Sequence, residues 1–146
     1  MSVKVFVDSS VLIELIKNSK VEFYTALVTN DNLVCCINSI VVSEYLYKYL
    51  GLQGIGSPRA VKERKEIDKV LAPYFITETL KDFLFLEPDN SIAGLAPRLM
   101  ATYNLLPNDA IIIATCKIHN INQLASHDFD YKSVYEAEGI TLLIES

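Results

Sequence analysis

Acidic side chains lie beside several apolar segments of this 146-residue sequence, where carboxylates could act together. They are Asp8 after residues 4–7, Glu44 within residues 40–50, Asp109 before residues 110–118, and Asp128 with Asp130 after residues 121–125. Carboxylate oxygens are preferred ligands of hard cations such as Mg2+ and Mn2+. Paired ions of this kind activate a water and stabilise the leaving oxygen in a displacement at phosphorus. The acids therefore predict a metal pocket suited to phosphodiester cleavage, provided that the fold brings them together.

The apolar segments alternate between strand-like and helix-like patterns. Strands are predicted over residues 4–7, 33–37, 83–86, 121–125 and 140–144, and helices over residues 11–17, 40–50, 59–71, 92–103 and 110–118. Gly51 is expected to stop the second helix, and Pro73 is expected to close the third. Alternation of this kind is typical of a parallel sheet with helices on both faces. We therefore predict a three-layer α/β/α fold in a single domain, residues 1–146.

This fold predicts where the acids meet. Ligands of open α/β sheets bind beyond the carboxyl ends of the strands. Asp8 follows the first strand, and the acids of residues 128–130 follow the fourth, so both places lie on the same edge of the sheet. Glu44 and Asp109 are carried by helices that lead from or toward this edge. A pocket of four carboxylates is therefore predicted there.

Each acid also has a simpler structural interpretation. Asp8 and Asp109 stand where helix N-caps belong, although capping is compatible with metal binding. Glu44 precedes Lys48 by four residues, which is the spacing of an ordinary ion pair on a helix. The two acids after residue 126 fit turn positions. Singly these residues indicate little, whereas four of them at these points of an α/β pattern favour a functional site.

Composition restricts the class of protein. Hydrophobic residues make up 51% of the chain, enough for one sizeable core, yet no apolar run approaches the ~20 residues that cross a bilayer. The N-terminal residues do not resemble a signal peptide, and Cys35, Cys36 and Cys116 lack metal-ligand spacing, so we expect buried thiols in a reducing cytoplasm. The net charge of -5 argues against bulk binding of nucleic acid or membrane. Cations in an acidic pocket would nevertheless invert the local potential and admit a nucleic acid substrate.

The segments around the acids resemble the PIN-domain family, in particular the small single-domain PIN ribonucleases typified by the VapC toxins of toxin-antitoxin modules. Residues 5–15 (VFVDSSVLIEL), 39–46 (SIVVSEYL) and 103–116 (YNLLPNDAIIIATC) are similar to the blocks that carry the first three acids of the family. Residues 124–131 (LASHDFDY) resemble its Thr-x-Asp-x-Asp-Phe pattern, with Ser126 in place of Thr and Tyr131 in place of Phe. The resemblance covers essentially the whole chain.

The resemblance implies a sheet of strand order 3-2-1-4-5, dependence on Mg2+ or Mn2+, and cleavage of single-stranded RNA by a water molecule. It implies that the metal is held, directly or through water, by Asp8, Glu44, Asp109 and Asp128. Ser10 or Ser126 would orient a carboxylate or a phosphate, and Asn108 and Asp130 would support the site. It further implies a toxin whose partner is a cognate antitoxin.

Basic residues near the second and third helices are candidates for contacts with RNA. Residues 59–69 carry two more basic than acidic side chains, so Arg59 and Lys62 are expected to guide an RNA backbone or to contact a partner. A solvated helix face with i,i+4 ion pairs explains the same charges. Lys48 is a further candidate, as is His127, although a loop histidine of this kind is commonly just exposed.

Aromatic residues are dense between residues 11 and 49. They are Phe23, Tyr24, Tyr45, Tyr47 and Tyr49. This is more aromatic surface than one small core is expected to use. We therefore predict an interface with a second copy of the chain or with an antitoxin in this region.

Other functional classes fit the sequence less well. A receiver domain needs an acidic pair after its first strand and a lysine after its fifth, but serines follow Asp8 and residues 141–146 contain no lysine. A haloacid-type phosphatase needs Asp-x-Asp after the first strand, and Ser10 breaks that pattern. The stronger alternatives are a PIN-like module that binds RNA or protein without catalysis and a housekeeping nuclease that processes RNA.

Overall fold

The computed structural model describes residues 2–145 and has a central sheet of five strands. They are β1 (Val3–Val7), β2 (Leu33–Ile37), β3 (Leu84–Phe85), β4 (Gln123–Ala125) and β5 (Thr141–Leu143). All neighbouring strands are parallel, and their order is β3-β2-β1-β4-β5, which confirms the predicted sheet. Val5, Phe6 and Val7 at the centre are almost fully buried, as expected of a parallel strand covered on both faces.

Helices connect the strands and flank the sheet, which confirms the α/β/α architecture. They are α1 (Ser9–Ile16), α2 (Val21–Val28), α3 (Ser39–Gln53), α4 (Pro58–Glu63), α5 (Ile67–Val70), α6 (Pro73–Leu80), α7 (Ile92–Tyr103), α8 (Pro107–Ile118) and α9 (Lys132–Ala137). α1 packs against α3, α3 against α8, and α7 against α8. α2, α6 and α9 were not predicted; each has eight residues or fewer, a length over which an apolar period is weakly defined.

The end of α3 differs from the prediction. The helix does not stop at Gly51 but continues to Gln53 and is capped by Gly54. A Cβ atom at Gly54 would lie 2.5 Å from Cγ2 of Val61 and 2.7 Å from the carbonyl oxygen of Leu50. The close packing of α4 on the end of α3 therefore requires glycine at position 54.

The predicted helix over residues 59–71 is instead divided into α4 and α5. Lys65, between them, adopts a φ angle of 56°, which a right-handed helix cannot continue. Pro73 was expected to close this helix, but it occupies the first turn of α6. Its fixed φ angle and missing N–H suit that position, because the first turn has no partner for the N–H group.

The start of α8 changes the interpretation of Asp109. Leu106 is the N-cap residue of α8, and Asp109 lies inside the first turn, so the prediction of an N-cap at Asp109 is wrong. Asp8 does occupy the N-cap position of α1, yet its carboxylate makes no capping hydrogen bond. Neither carboxylate is therefore used to cap a helix.

The core uses most of the aromatic residues that were assigned to an interface. Tyr45 and Tyr49 are 0% and 5% exposed, and their rings meet edge to face at a centroid distance of 6.3 Å. Phe23 and Tyr24 are partly buried against the same core. Tyr47 is the exception, with 58% exposure. The aromatic surface left between residues 11 and 49 is therefore smaller than expected and is largest at Tyr47, and the interface there stays a prediction.

The cysteines occupy the core as predicted. Cys35, Cys36 and Cys116 are free thiols and all are buried. Burial raises the pKa of Cys35 to about 11, so this thiol stays protonated at neutral pH. Among the helices of residues 2–145, none combines the length and the apolar character needed to span a membrane.

Candidate active site

Asp8 lies at the carboxyl end of β1, beside the end of β4. Its backbone N–H donates to the carbonyl oxygen of Ala125 over 2.9 Å, which holds the two strand ends together. Its carboxylate atom Oδ2 accepts hydrogen bonds from the hydroxyls of Ser10 (2.8 Å) and Ser126 (3.0 Å). These two hydroxyl oxygens lie 3.1 Å apart. One oxygen of Asp8 is therefore fixed by β4 and by the first turn of α1.

Glu44 projects from α3 toward the same place and is half-buried. The hydroxyl of the buried Ser9 donates to Glu44 Oε1 over 3.3 Å. Burial raises the pKa of Glu44, and the negative charges of Asp8 and Asp109 raise it further. The carboxylates are therefore close enough to repel one another.

Asp109 approaches from the first turn of α8. Burial raises its pKa, and the charges of Asp8 and Asp128 raise it further. The position of α8 relative to α3 is fixed by Asn38, a fully buried residue that caps α3 by accepting from the backbone N–H of Val41 over 3.1 Å. The Asn38 amide also donates to Thr115 Oγ1 in α8 over 2.9 Å. One buried side chain thus links the helices that carry Glu44 and Asp109.

Asp128 and Asp130 lie in the loop after β4 and have different surroundings. The backbone N–H of Asp128 donates to Ser126 Oγ over 2.9 Å, which places this residue next to the serine that binds Asp8. Asp128 Oδ1 accepts from the backbone N–H of Asp130 over 3.0 Å, and Asp130 itself is exposed. The charge of Asp128 acts on Asp109, so Asp128 is the loop acid that the structure groups with the others.

The four carboxylates fit a hard divalent cation. In the described chain, residues 2–145, none of them forms a salt bridge with a basic side chain. Their donor atoms are all oxygens, and their mutual repulsion is of the kind that a cation relieves. No three such side chains in that part of the chain already surround one point at ligand distance. Binding would therefore use water between ion and carboxylate, as Mg2+ commonly does, or a small inward shift.

The sequence matches a known family over most of its length. The family model described as PIN domain matches residues 5–137. The chain belongs to the PIN domain family. Ribonuclease VapC6 of Methanocaldococcus jannaschii is 35% identical to it in an alignment of 147 positions that covers 89% of this chain and 92% of that protein. Ribonuclease VapC2 of the same organism is 35% identical over 133 residues, which cover 90% of this chain and 89% of that protein.

Solved structures share the fold of this PIN domain. The crystal structure of VapBC2 from Rickettsia felis, bound to a DNA fragment from their promoter, matches with a TM-score of 0.67 at 13% identity and covers 98% of this chain and 99% of that one. The DNA-bound VapBC structure from Salmonella typhimurium matches with a TM-score of 0.64 at 18% identity, covering 99% and 98%. At such identities the likeness shows a shared fold.

A cleft of about 360 Å³ opens beside Glu44 of the PIN domain. It is lined by Ser9, Ile13, Ser43, Glu44, Tyr47, Lys48 and Asn108. The structure thus brings two predicted residues, Asn108 and Lys48, to the same cleft as Glu44. No salt bridge joins Lys48 to Glu44 or to another acid of residues 2–145, so the predicted i,i+4 ion pair is absent.

Arg59 and Lys62 line a neighbouring groove of about 480 Å³. Arg59 pairs with Glu63 through Nε and Oε1 at 3.0 Å, which is the i,i+4 ion pair of the alternative interpretation. Lys62 makes no salt bridge within residues 2–145. Arg59 and Lys62 therefore lie beside the cleft that Glu44 lines, which we call the carboxylate cleft, and do not line it themselves.

The ring nitrogens of His127 are not accessible to a phosphate in this structure. Its two ring nitrogens are buried and have no hydrogen-bond partner among residues 2–145. The ring packs against Phe23 at a centroid distance of 5.0 Å. Burial lowers the pKa of His127, and the charge of Lys20 lowers it further, so the ring is held neutral at pH 7. Its contribution to the site comes from the backbone, whose N–H donates to Ser10 Oγ over 3.0 Å.

Three residues near the acids were not predicted from the sequence to be part of the site. Ser9 holds Glu44, and its position directly after Asp8 was the available signal. The charge of Asp109 raises the pKa of Tyr131, which places that hydroxyl near the cluster. Tyr135, in α9, is buried, and burial together with the charges of the nearby aspartates raises its pKa. α9 was not predicted, so nothing in the sequence indicated that Tyr135 faces the site.

Proposed function

We propose that this PIN domain is an endoribonuclease that uses Mg2+ or Mn2+ to cleave single-stranded RNA. The observation that carries the proposal is the cluster of four carboxylates, without basic partners in residues 2–145, at the carboxyl edge of the sheet. Two relatives that are 35% identical over nine-tenths of the chain are named ribonucleases, which supports the proposal.

The reaction would be an in-line hydrolysis. The oxygen of a water forms a bond to phosphorus, the bond from phosphorus to the leaving ribose oxygen breaks, and a proton passes from the water to that oxygen. Bound Mg2+ or Mn2+ supplies activation of the water and neutralises charge on the phosphate. The hydroxyls of Ser9 and Ser10 donate to Glu44 and Asp8, and these bonds hold the two carboxylates in place.

The chain's own residues prepare the site. Asp8, Glu44, Asp109 and Asp128 would hold the cation directly or through water. Ser10 and Ser126 fix Asp8 Oδ2, and Asp8 Oδ1 has no hydrogen bond within residues 2–145 and is available as a ligand. Asn108 lines the cleft beside Glu44, where it can bind the substrate or the acid. Asp130 supports the loop through its backbone bond to Asp128.

The decisive experiment measures cleavage of a labelled single-stranded RNA with Mn2+ or Mg2+, with chelator, and with Asp8→Asn. We expect cleavage that needs the cation and is lost in the variant. Glu22→Gln, an exposed position on α2, is the matched control and should cleave at the wild-type rate. Activity that survives Asp8→Asn would contradict the site assignment.

The alternative is a PIN-like module that binds RNA or protein without catalysis. It predicts binding of the same RNA but no product in any cation. The intact set of four acids favours catalysis, because a pure binding module would gain nothing from a repulsive carboxylate cluster. A housekeeping nuclease would cleave RNA equally well, so the genetic context separates it from a toxin.

We propose that the protein acts in the cytoplasm as the toxin of a VapBC-type pair, with a small antitoxin encoded beside it. The names of its relatives and the VapBC structures that share its fold support this role. Expression of the wild type alone should arrest growth, and expression with the adjacent small reading frame should restore it. Asp8→Asn should be harmless in both cases.

We also propose a homodimer. The edge strand β3 exposes the apolar side chains of Leu84 and Phe85 by 40% and 53%, and exposed apolar surface of this kind is suited to contact with a second copy. Sedimentation at micromolar concentration should give twice the monomer mass. Phe85→Lys should convert this species to a monomer, whereas a monomeric wild type would contradict the proposal.

A further inference from the structure

Tyr47 stands at the junction of the two clefts. It lines the carboxylate cleft together with Glu44, and it also lines the groove that contains Lys62. It is 58% exposed, although Tyr45 and Tyr49 on the same helix are buried in the core. Glu44 and Tyr47 are three residues apart on α3, so they are neighbours on one face of the helix. An aromatic face is thus held in solvent directly beside Glu44, one of the four acids.

The charges around Tyr47 favour a polyanion. Lys48 lies on the carboxylate side of Tyr47 and Lys62 on the groove side. Neither lysine has an ionic partner within residues 2–145, whereas Arg59 in the same groove is neutralised by Glu63. A path from the cleft to the groove therefore passes the Lys48 ammonium, the Tyr47 ring and the Lys62 ammonium. Sites for single-stranded nucleic acid combine these two elements, basic groups for phosphates and rings on which bases stack.

We propose that Tyr47 is the stacking platform for a base next to the scissile phosphate, with Lys48 and Lys62 contacting the phosphates on either side. The groove between α3 and α4 is then the continuation of the RNA-binding path. This inference rests on the proposed function, because the four acids of the site define which phosphate is cleaved. It assigns substrate binding to an aromatic side chain that the pattern of acids does not indicate.

The first test measures RNA binding without cleavage. A short fluorescein-labelled single-stranded oligoribonucleotide is titrated with the Asp8→Asn protein in Mg2+, and anisotropy gives Kd. In this background Tyr47→Ala should weaken binding about tenfold, because loss of a base–aromatic stack has an effect of that order. Tyr47→Phe should retain the affinity. Tyr74→Ala removes a tyrosine that is 79% exposed and lines neither cleft, so it should leave Kd unchanged.

The variant Tyr47→Leu distinguishes stacking of an RNA base on Tyr47 from docking of an apolar protein segment there. A leucine keeps the apolar bulk but has no aromatic face, so RNA binding should fall nearly as far as in Tyr47→Ala. Unchanged RNA binding by both variants would overturn the proposal and leave the groove to a protein partner. Thermal melting of each variant shows that it is folded, because Tyr47 is exposed and contributes little to the core.

The phosphate contacts have their own readout. Each lost contact to a single strand should reduce the slope of log K against log salt concentration by about 0.7. Lys62→Gln and Lys48→Gln should show this change. Lys81→Gln, whose lysine caps the end of α6 and pairs with Glu78 at 2.6 Å, should not. Equal slopes in all proteins would overturn the assigned phosphate path.

The outcomes distinguish this inference from the proposed function. If wild type cleaves RNA but Tyr47→Ala binds and cleaves with unchanged Kd and KM, the inference fails and the nuclease stands. If RNA binding depends on Tyr47 but wild type yields no product with either cation, the nuclease fails. Tyr47 then remains a residue that binds RNA, and its position next to a scissile phosphate is lost with the nuclease. In a working nuclease, Tyr47→Ala should raise KM about tenfold with little change in kcat.

Discussion

Ser126 and Asp8 are separated by 118 positions in the chain, and the Ser126 hydroxyl donates to Asp8 Oδ2 over 3.0 Å. The same hydroxyl oxygen accepts from the backbone N–H of Asp128. Ser126 is fully buried, whereas Asp8 and Asp128 are partly exposed, so both bonds lie at the boundary between core and solvent. One side chain thus sets the position of an acid from β1 and of an acid from the loop after β4.

Replacement of Ser126 by alanine should therefore impair the site more than the fold. The variant loses the donor to Asp8 and leaves the backbone N–H of Asp128 unpaired. We expect a loss of roughly 10–100-fold in cleavage or in apparent Mn2+ affinity, the range found when groups that orient metal ligands are removed. Cleavage rates over a range of Mn2+ concentrations measure this. Ser126→Thr keeps the hydroxyl and should recover most of the activity, and a fully active alanine variant would contradict the role.

The repulsion at Glu44 predicts a dependence of stability on pH. Burial and the charge of Asp8 raise its folded pKa above the ordinary value of 4.5. Such a group binds its proton more tightly when folded, so its contribution to stability is lost as pH rises from about 4.5 through the raised pKa. In chelator, Glu44→Gln should melt above wild type at neutral pH, because the neutral amide does not carry the half-buried negative charge. The difference should vanish below the ordinary pKa, and the exposed control Glu22→Gln should show none.

Cation binding should reverse that penalty. A ligand that binds only the folded state stabilises it by about 2.7 kcal/mol at 100 times its Kd. Mn2+ should therefore raise the melting temperature of wild type above its value in chelator. Glu44→Gln and Asp109→Asn, which lack one carboxylate, should respond less at the same concentration. A wild type whose melting temperature is insensitive to Mg2+ and Mn2+ would argue against a metal centre.

The sheet was predictable because its strands are short apolar runs. Asp8 follows β1, the helix-capping Asn38 follows β2, and the acidic loop 126–130 follows β4. β2 was predicted to the residue, and α7 matches residues 92–103 despite Pro97. The site acids were predictable in part for the same reason, since strand ends of a parallel sheet share one edge. Helix boundaries failed where tertiary contacts decide them, as at Gly54, whose need for glycine comes from Val61 of the following helix.

The detail of the site was less accessible from sequence. The choice between Asp128 and Asp130 depends on backbone hydrogen bonds of the loop, which neither spacing nor residue type determines. The position of His127 depends on Phe23, which comes from a helix that was not predicted. Tyr47 differs from Tyr45 and Tyr49 only in the face of α3 on which it lies. Such features follow from packing between distant segments, so a local pattern does not contain them.

Glu138 joins α9 to α7 and α8 and predicts a loss of stability in acid. Burial alone would raise its pKa, but the Tyr103 hydroxyl at 2.6 Å and the Lys117 ammonium at 3.2 Å hold it below the ordinary value. Its contribution is therefore present above the ordinary pKa of 4.5 and is lost as pH falls through the lowered value. Glu138→Gln should lower the free energy of unfolding by about 1–3 kcal/mol at pH 7. Urea denaturation should show a smaller difference in strong acid, and an equal difference at both pH values would contradict the ionic role.

Substitution of Asn38 should lower the free energy of unfolding more than substitution of any exposed residue near the site. Its amide is fully buried, caps α3 and donates to Thr115, so Asn38→Ala removes a cap and leaves buried polar groups unpaired. We expect a loss of about 2 kcal/mol in the free energy of unfolding. Asn38→Ser keeps an oxygen that can cap α3 but cannot reach across to Thr115 as an amide does. If the bond to Thr115 positions Glu44 against Asp109, the serine variant should recover stability more fully than kcat, and parallel recovery of both would limit Asn38 to a structural role.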